Sequence, residues 1–277
     1  QSGSPLQGLI SGSRGLDEID YLSRDARMCG VPYGAVDVDR LIASLTLIEV
    51  APGRTELGVQ EKGISALESL LFAKYQMYRN VYWHHAVRSA TCMFKRGVRA
   101  AVSRGGLDAG MLADSTDDAL TDRLIAADPT GLARAVSARR LYKRALDLPA
   151  SEVPTELQPW IRERPDLLEA VEDRLALEVG LQPGELLLDF PSHPSMLGVD
   201  LPLRTRTGVV ERLTAEGVAG QFGLPRVADE LYRSARRLRV FTARPGSYRL
   251  EWVRELVALT PGDITRRLES GRLAPDA

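Results

Sequence analysis

The sequence predicts a mainly α protein, a helical core over residues 1–140 followed by a smaller α+β lobe over residues 141–277. Three observations carry that expectation. Apolar residues recur at helical spacing from Leu16 to Met28 and again from Ile64 to about Ala101, the second run without a proline. Prolines at 149, 154, 159 and 165 then punctuate the chain, as they do where helices stop and a new unit begins. Beyond them, short apolar runs of strand length alternate with helical stretches, the pattern of an α+β lobe.

The elements follow in order. Residues 1–44 read as helical, with a small-residue turn at Ser11-Gly12-Ser13-Arg14-Gly15 before the amphipathic stretch from Leu16 to Met28. Gly30 and Pro32 end that helix. Asp37 is placed to cap a short helix through Leu45. The alternating stretch Leu45 to Val50, the Pro52-Gly53 turn and the stretch Glu56 to Gln60 read as a hairpin. The long periodic segment from Ile64 is one helix or two helices meeting near His84-His85, and Ser115 and Asp128 are N-cap candidates for short helices between Leu107 and Ala138. In the second lobe Asp166 to Val179 and Val227 to Arg236 read as helices. Glu185 to Phe190, Arg204 to Leu213 and Leu238 to Ala243 read as strands.

Composition excludes several classes of function. With 36 Lys+Arg against 37 Asp+Glu the net charge is -1, which gives no strong nucleic-acid signal and no general attraction to a membrane surface. No apolar run is long enough to span a bilayer, and the residues from Gln1 onward lack the basic and apolar regions of a signal peptide, so the sequence gives no support for secretion. Two cysteines, Cys29 and Cys92, exclude a disulfide framework and a Cys-rich zinc site and fit a reducing, cytoplasmic setting. The three histidines, His84, His85 and His193, make a self-contained multi-histidine metal site hard to build; His193, between prolines, reads as structural. The first residue is Gln rather than Met, so the chain is read as beginning inside a longer protein.

Two constellations could carry chemistry. In Leu16-Asp17-Glu18-Ile19-Asp20-Tyr21-Leu22-Ser23-Arg24-Asp25 the residues Asp17, Tyr21 and Asp25 lie four apart, so each step turns about 40° and a helix presents all three on one side. The alternative is a solvated face with Asp17 beside the helix N-terminus. On the long helix Lys74, Tyr78 and Tyr82 repeat at the same spacing. A cation with phenols suits a polyphosphate and the sugar or base attached to it; the alternative is a helix-packing stripe with hydrogen-bonded polar tips. Two basic runs, Arg139, Arg140, Lys143 and Arg144, and Arg233, Arg236, Arg237 and Arg239, read as solvated faces or as contacts to an anion or acidic partner. Walker, GxGxxG, HExxH and GxSxG motifs are absent.

These segments resemble a known family. The stretch LISGSRGLDEIDYLSRDARMCGVPYG (Leu9 to Gly34) resembles the section downstream of the histidine motifs in HD-domain phosphohydrolases of the deoxynucleoside triphosphate triphosphohydrolase, dGTPase-like, type. The later AKYQMYRNVYWHHAVRSA resembles the long helix that follows in that family. The resemblance runs from residue 1 to about 150; beyond it LLLDFP and RRLRVF are similar to the family's C-terminal lobe.

The resemblance implies a helical HD-domain core, incomplete at its N-terminus, and a divalent metal held by a His, a His-Asp pair and the Asp that opens D-x-x-D-Y-x-x-R-D, matched by Asp17. It implies substrate-facing roles for Tyr21, Asp25, Tyr78 and Tyr82, and phosphate contact by Lys74 where the family usually has Arg. Lys keeps the charge and loses the bidentate fork. No His-Asp dipeptide occurs and every histidine follows Asp17. The implied function is therefore metal-dependent hydrolysis of (deoxy)nucleoside triphosphates or related phosphate esters by a full-length protein. The present chain would hold no catalytic residue of its own, one metal ligand and little activity, with the remaining ligands expected upstream of residue 1. The alternatives are a non-enzymatic nucleotide-binding or regulatory subunit that has lost the metal site, and a helical interaction module. The resemblance also implies a homo-oligomer.

Overall fold

The computed structural model describes residues 16–108, 110–111, 114–154, 160–192, 197–214 and 227–275. Within them the protein is mainly helical with two small sheets. It divides into two compact units, one formed by residues 1–82 and 193–235, the other by residues 83–192 and 236–277. The boundary expected near residue 140 falls inside the second unit. His193 lies outside the described residues. No helix among the described residues is long and apolar enough to cross a membrane.

In the first unit, α1 (Leu16–Cys29) buries Ile19, Leu22 and Ala26, one stripe at helical spacing. Gly30 stops it at φ +67°: the Val31 N–H bonds the Ala26 carbonyl at 3.0 Å and the Gly30 N–H bonds the Arg27 carbonyl at 3.2 Å, the left-handed closure that glycine adopts without a Cβ penalty. The chain then turns back against α1 so closely that a Cβ on Gly34 would lie 2.6 Å from the Ala26 Cβ. Asp37 caps α2 (Val38–Ile42), accepting the Arg40 N–H at 3.0 Å. That helix stops before Leu45 because Leu45 already belongs to the sheet.

Strands β1 (Leu45–Ala51) and β2 (Arg54–Gln60) form the expected antiparallel hairpin. The strand expected from Arg204 to Leu213 is instead two short strands, β5 (Leu201–Arg204) and β6 (Val210–Leu213), paired antiparallel. Polar Thr205, Arg206 and Thr207 with Gly208 at φ +86° form the turn between them. The sheet order is β1-β2-β5-β6, with β2 and β5 parallel. Helix α3 (Ile64–Met77) buries most of its surface, leaving Ser65, Ser69 and Phe72 as an exposed stripe, and continues as a π turn over Tyr78–Tyr82. Helix α9 (Ala228–Ala235) completes this unit.

The second unit starts with the other half of the long periodic segment. The helical run breaks at Trp83-His84, and α4 (His85–Ser103) begins with His84 as its N-cap, the Nδ1 accepting the Ala86 N–H at 3.4 Å. Helices α5 (Asp117–Ala127) and α6 (Leu132–Ser137) follow. The cap of α5 is Thr116 rather than the expected Ser115, whose hydroxyl donates back to the Met111 carbonyl at 2.6 Å. Asp128 stands just before α6 and accepts the Ala133 N–H at 2.8 Å, so its carboxylate serves the helix it was expected to start.

Helices α7 (Trp160–Glu163) and α8 (Pro165–Glu178), then α10 (Val253–Leu256) and α11 (Pro261–Glu269), accompany a three-stranded antiparallel sheet. Its strands are β3 (Lys143–Pro149), β7 (Arg237–Thr242) and β4 (Leu186–Asp189), in the order β3-β7-β4. One core of Val171, Leu175, Leu188, Val240, Leu250 and Ile264 joins helices and sheet. Beside it Arg96, 8% exposed, donates to Glu172 and Asp173, so its charge is paired where it is buried.

Candidate functional site

The two motif-bearing helices of the first unit meet. Tyr82 at the end of the π turn donates its hydroxyl to the Asp25 carboxylate at 2.8 Å. Three tyrosine rings close around that bond: Tyr21 stands edge-on to Tyr82 with centroids 6.2 Å apart, and Tyr78 edge-on to Tyr82 at 5.2 Å. This is the favoured geometry for rings whose faces are electron-rich and whose edges are not. Two turns before that bond on each helix, Lys74 donates to Glu18 at 2.7 Å.

The π turn explains why Lys74, Tyr78 and Tyr82 stay in line. In an α-helix each i,i+4 step drifts by about 40°; a π turn, with i→i+5 bonds, is wider and cancels part of that drift.

The phenols are held protonated. Burial, then the Glu18 carboxylate, pushes the Tyr21 and Tyr78 hydroxyls up from their ordinary range. Burial and the hydrogen bond to Asp25 do the same for Tyr82. At neutral pH the cluster therefore offers hydroxyl donors and ring faces rather than phenolates.

Of the residues singled out from sequence, Tyr21, Asp25, Tyr78 and Tyr82 form one group, and Lys74 lies on the same helix stripe but is 1% exposed and engaged with Glu18. Asp17 is exposed in the first turn of α1. Among the described residues no group of three or more His, Cys, Asp and Glu side chains could hold a metal ion. Asp17 is a single exposed carboxylate, and the described residues do not by themselves fit a divalent metal centre.

The residue that sequence reasoning missed is Glu18. Its spacing admits the role, since Glu18, Tyr21 and Asp25 lie i, i+3, i+7 on one face, but the packing of α3 decides that Glu18 rather than Asp17 is covered.

Residues 36–215 match the family described as HD associated region. The uncharacterized protein MJ1154 of Methanocaldococcus jannaschii is 37% identical over 157 residues, 56% of this chain and 34% of that one. The uncharacterized protein YwfO of Bacillus subtilis is 38% identical over 82 residues, 30% of this chain and 18% of its own length. The chain thus spans well under two thirds of these curated relatives. A crystal structure of a phosphohydrolase from Bacteroides thetaiotaomicron VPI-5482 superposes with a TM-score of 0.52 at 18% identity, over 86% of this chain and 64% of that one. At that identity the likeness is one of fold.

Proposed function

This chain belongs to the HD-associated region family, and from that premise we propose that it forms the nucleotide-facing part of a phosphohydrolase acting on (deoxy)nucleoside triphosphates or related phosphate esters. The observation that carries the reading is the meeting of Tyr21 and Asp25 with Tyr78 and Tyr82 beside a buried lysine. The chain's fold-level likeness to a solved phosphohydrolase agrees with it. The finer resemblance, to the deoxynucleoside triphosphate triphosphohydrolases, rests on the motif from Asp17 to Asp25.

In this reading the tyrosine rings pack against the sugar or base, and the Tyr82–Asp25 bond fixes the ring that does so. Asp25 keeps acceptor capacity for a sugar hydroxyl, since a carboxylate offers about four lone-pair sites. Lys74 reaches a phosphate only in competition with Glu18. The hydrolytic step needs metal ligands beyond those described, with Asp17 as this chain's contribution.

Binding of dATP or dGTP to the purified chain tests the reading. Saturable binding that weakens about tenfold or more in Tyr82→Ala and Tyr21→Ala, at preserved fold, supports it. No binding, or binding indifferent to both substitutions, removes it. The chain alone should show negligible hydrolysis, and robust turnover by it would overturn the placement of the metal ligands.

A second reading is a nucleotide-binding regulatory subunit, in which the same tyrosine cluster binds without turnover. The two part on turnover by the full-length polypeptide supplied with divalent metal. Hydrolysis that Asp17→Ala abolishes supports the enzyme, and binding without turnover supports the regulator. A homo-oligomeric state belongs to either reading and is tested by light scattering of the purified chain.

A further inference from the structure

The second unit holds an arginine whose charge is buried and two of whose donor nitrogens have no hydrogen-bond partner among the described residues. Arg239 is the central residue of the three-stranded sheet, directly opposite Asp147 on β3 and Asp189 on β4. Only 4% of it is exposed, yet its Nε and Nη1 have no hydrogen-bond partner among the described residues. Both flanking carboxylates lie near, at 3.4 Å from Nε and 3.8 Å from Nη1, but other guanidinium groups hold them in better geometry. Arg88 forks onto Asp189, Nε to Oδ2 at 3.0 Å and Nη2 to Oδ1 at 2.6 Å. Arg237 and Arg144 both donate to Asp147.

Four guanidinium groups thus face two carboxylates, an excess of two positive charges. His85 adds no further positive charge to this excess: burial first, then His84, Arg144 and Arg239, hold its imidazole below the usual range. A buried N–H left unpaired is costly. Water would satisfy the donors but leave the charge excess, whereas an oxyanion answers both, and the planar guanidinium matches its oxygens.

We propose that the sheet face at Arg239 binds a phosphate-class oxyanion, which accepts from the Arg239 Nε–H and Nη1–H, with Arg237 and Arg144 at the half-exposed rim. The site is built from residues of the second unit alone and does not rest on the function proposed for the tyrosine cluster.

Calorimetric titration of inorganic phosphate and, separately, of dAMP tests the assignment on wild type, Arg239→Gln and the rim double variant Arg144→Gln/Arg237→Gln. The expected result is saturable phosphate binding that falls at least tenfold in the rim variant at preserved fold, and is lost in Arg239→Gln if that variant folds. Tighter binding of dAMP than of phosphate, lost in the same variants, assigns the oxyanion to a nucleotide; equal binding assigns it to the free ion. If Arg239→Gln fails to fold, the rim variant decides alone. Absence of saturable phosphate binding in the wild type, or a rim variant that binds as the wild type does, overturns the proposal.

Discussion

Lys74 donates to Glu18 across 2.7 Å with 2% of the lysine side chain and 12% of the glutamate side chain reaching solvent. Two charges so far out of water are held by each other, and removing one leaves the other to bear the desolvation cost. Lys74→Met should therefore destabilise the protein by about 3 kcal/mol, towards the low end for a broken buried pair because Glu18 keeps some contact with water. Lys74→Met combined with Glu18→Gln should recover most of that loss. Urea unfolding of the two single variants and the double variant measures the coupling. Additive losses would show that the two residues act independently.

Tyr82 contributes in two separable ways, through its hydroxyl and through its ring. Tyr82→Phe removes the donor to Asp25 and keeps the ring contacts with Tyr21 and Tyr78, so a loss of about 1.5 kcal/mol is expected, the lower end for a hydrogen bond to a charged group. Tyr82→Ala removes the rings' mutual contacts as well and should cost roughly 1 kcal/mol or more beyond that. Thermal unfolding gives both values. Equal losses in the two variants would mean that the edge-to-face packing contributes nothing.

Much of this arrangement was legible in the sequence, because it depends on local periodicity. The stripes through Tyr21 and Asp25, and through Lys74, Tyr78 and Tyr82, follow from helical spacing. The hairpin at Pro52-Gly53 and the stop at Gly30 follow from turn chemistry. What escaped depends on longer-range packing. Asp17 and Glu18 are neighbours in sequence, and only the position of α3 decides which of them is covered. Glu18 and Asp25 project within about 20° of each other, so Glu18 meets Lys74 while Asp17 stays in water. Strand β3 was hidden because Lys143 and Arg144 read as part of a solvated basic run, although Leu146 and Leu148 pair with the buried strand β7. The break of Arg204 to Leu213 into two strands needed the weight of Gly208 against a run of otherwise strand-compatible residues.

Glu172 links stability to pH. Full burial pushes its carboxyl up from 4.5 to about 7, against the opposing pull of the Leu188 N–H and of Arg96 and Arg99. Between these two values the folded state binds more protons at this position than the unfolded state does. Stability contributed by the group is then complete below pH 4.5 and declines as pH rises towards 7. Urea midpoints measured from pH 4.5 to pH 8 should carry this decline, and Glu172→Gln, which stays neutral, should flatten it. A wild-type and variant pair with parallel pH profiles would show that Glu172 is ionised throughout in the folded protein.

Gly34 sets how closely the chain returns to α1. A Cβ at this position would lie 2.6 Å from the Ala26 Cβ and 3.0 Å from the Leu22 carbonyl oxygen. The first is a neighbour with no flexible end to move aside and the second is backbone. Gly34→Ala must therefore displace either α1 or the 3-10 turn over Pro32–Gly34, at a cost of roughly 1–3 kcal/mol for overpacking. Leu22 and Ala26 follow Tyr21 and Asp25 on the same helix by one residue each, so a shift of α1 also moves the Asp25 carboxylate away from the Tyr82 hydroxyl. The variant should lose stability and, if the tyrosine cluster binds nucleotide, affinity as well, while Gly30→Asn, which only relaxes the left-handed stop of the same helix, should leave the affinity near that of the wild type. Stability and dATP affinity measured on both variants separate a general weakening of α1 from a displacement of its tyrosine face. Unchanged stability in Gly34→Ala would show that the close approach relaxes without cost.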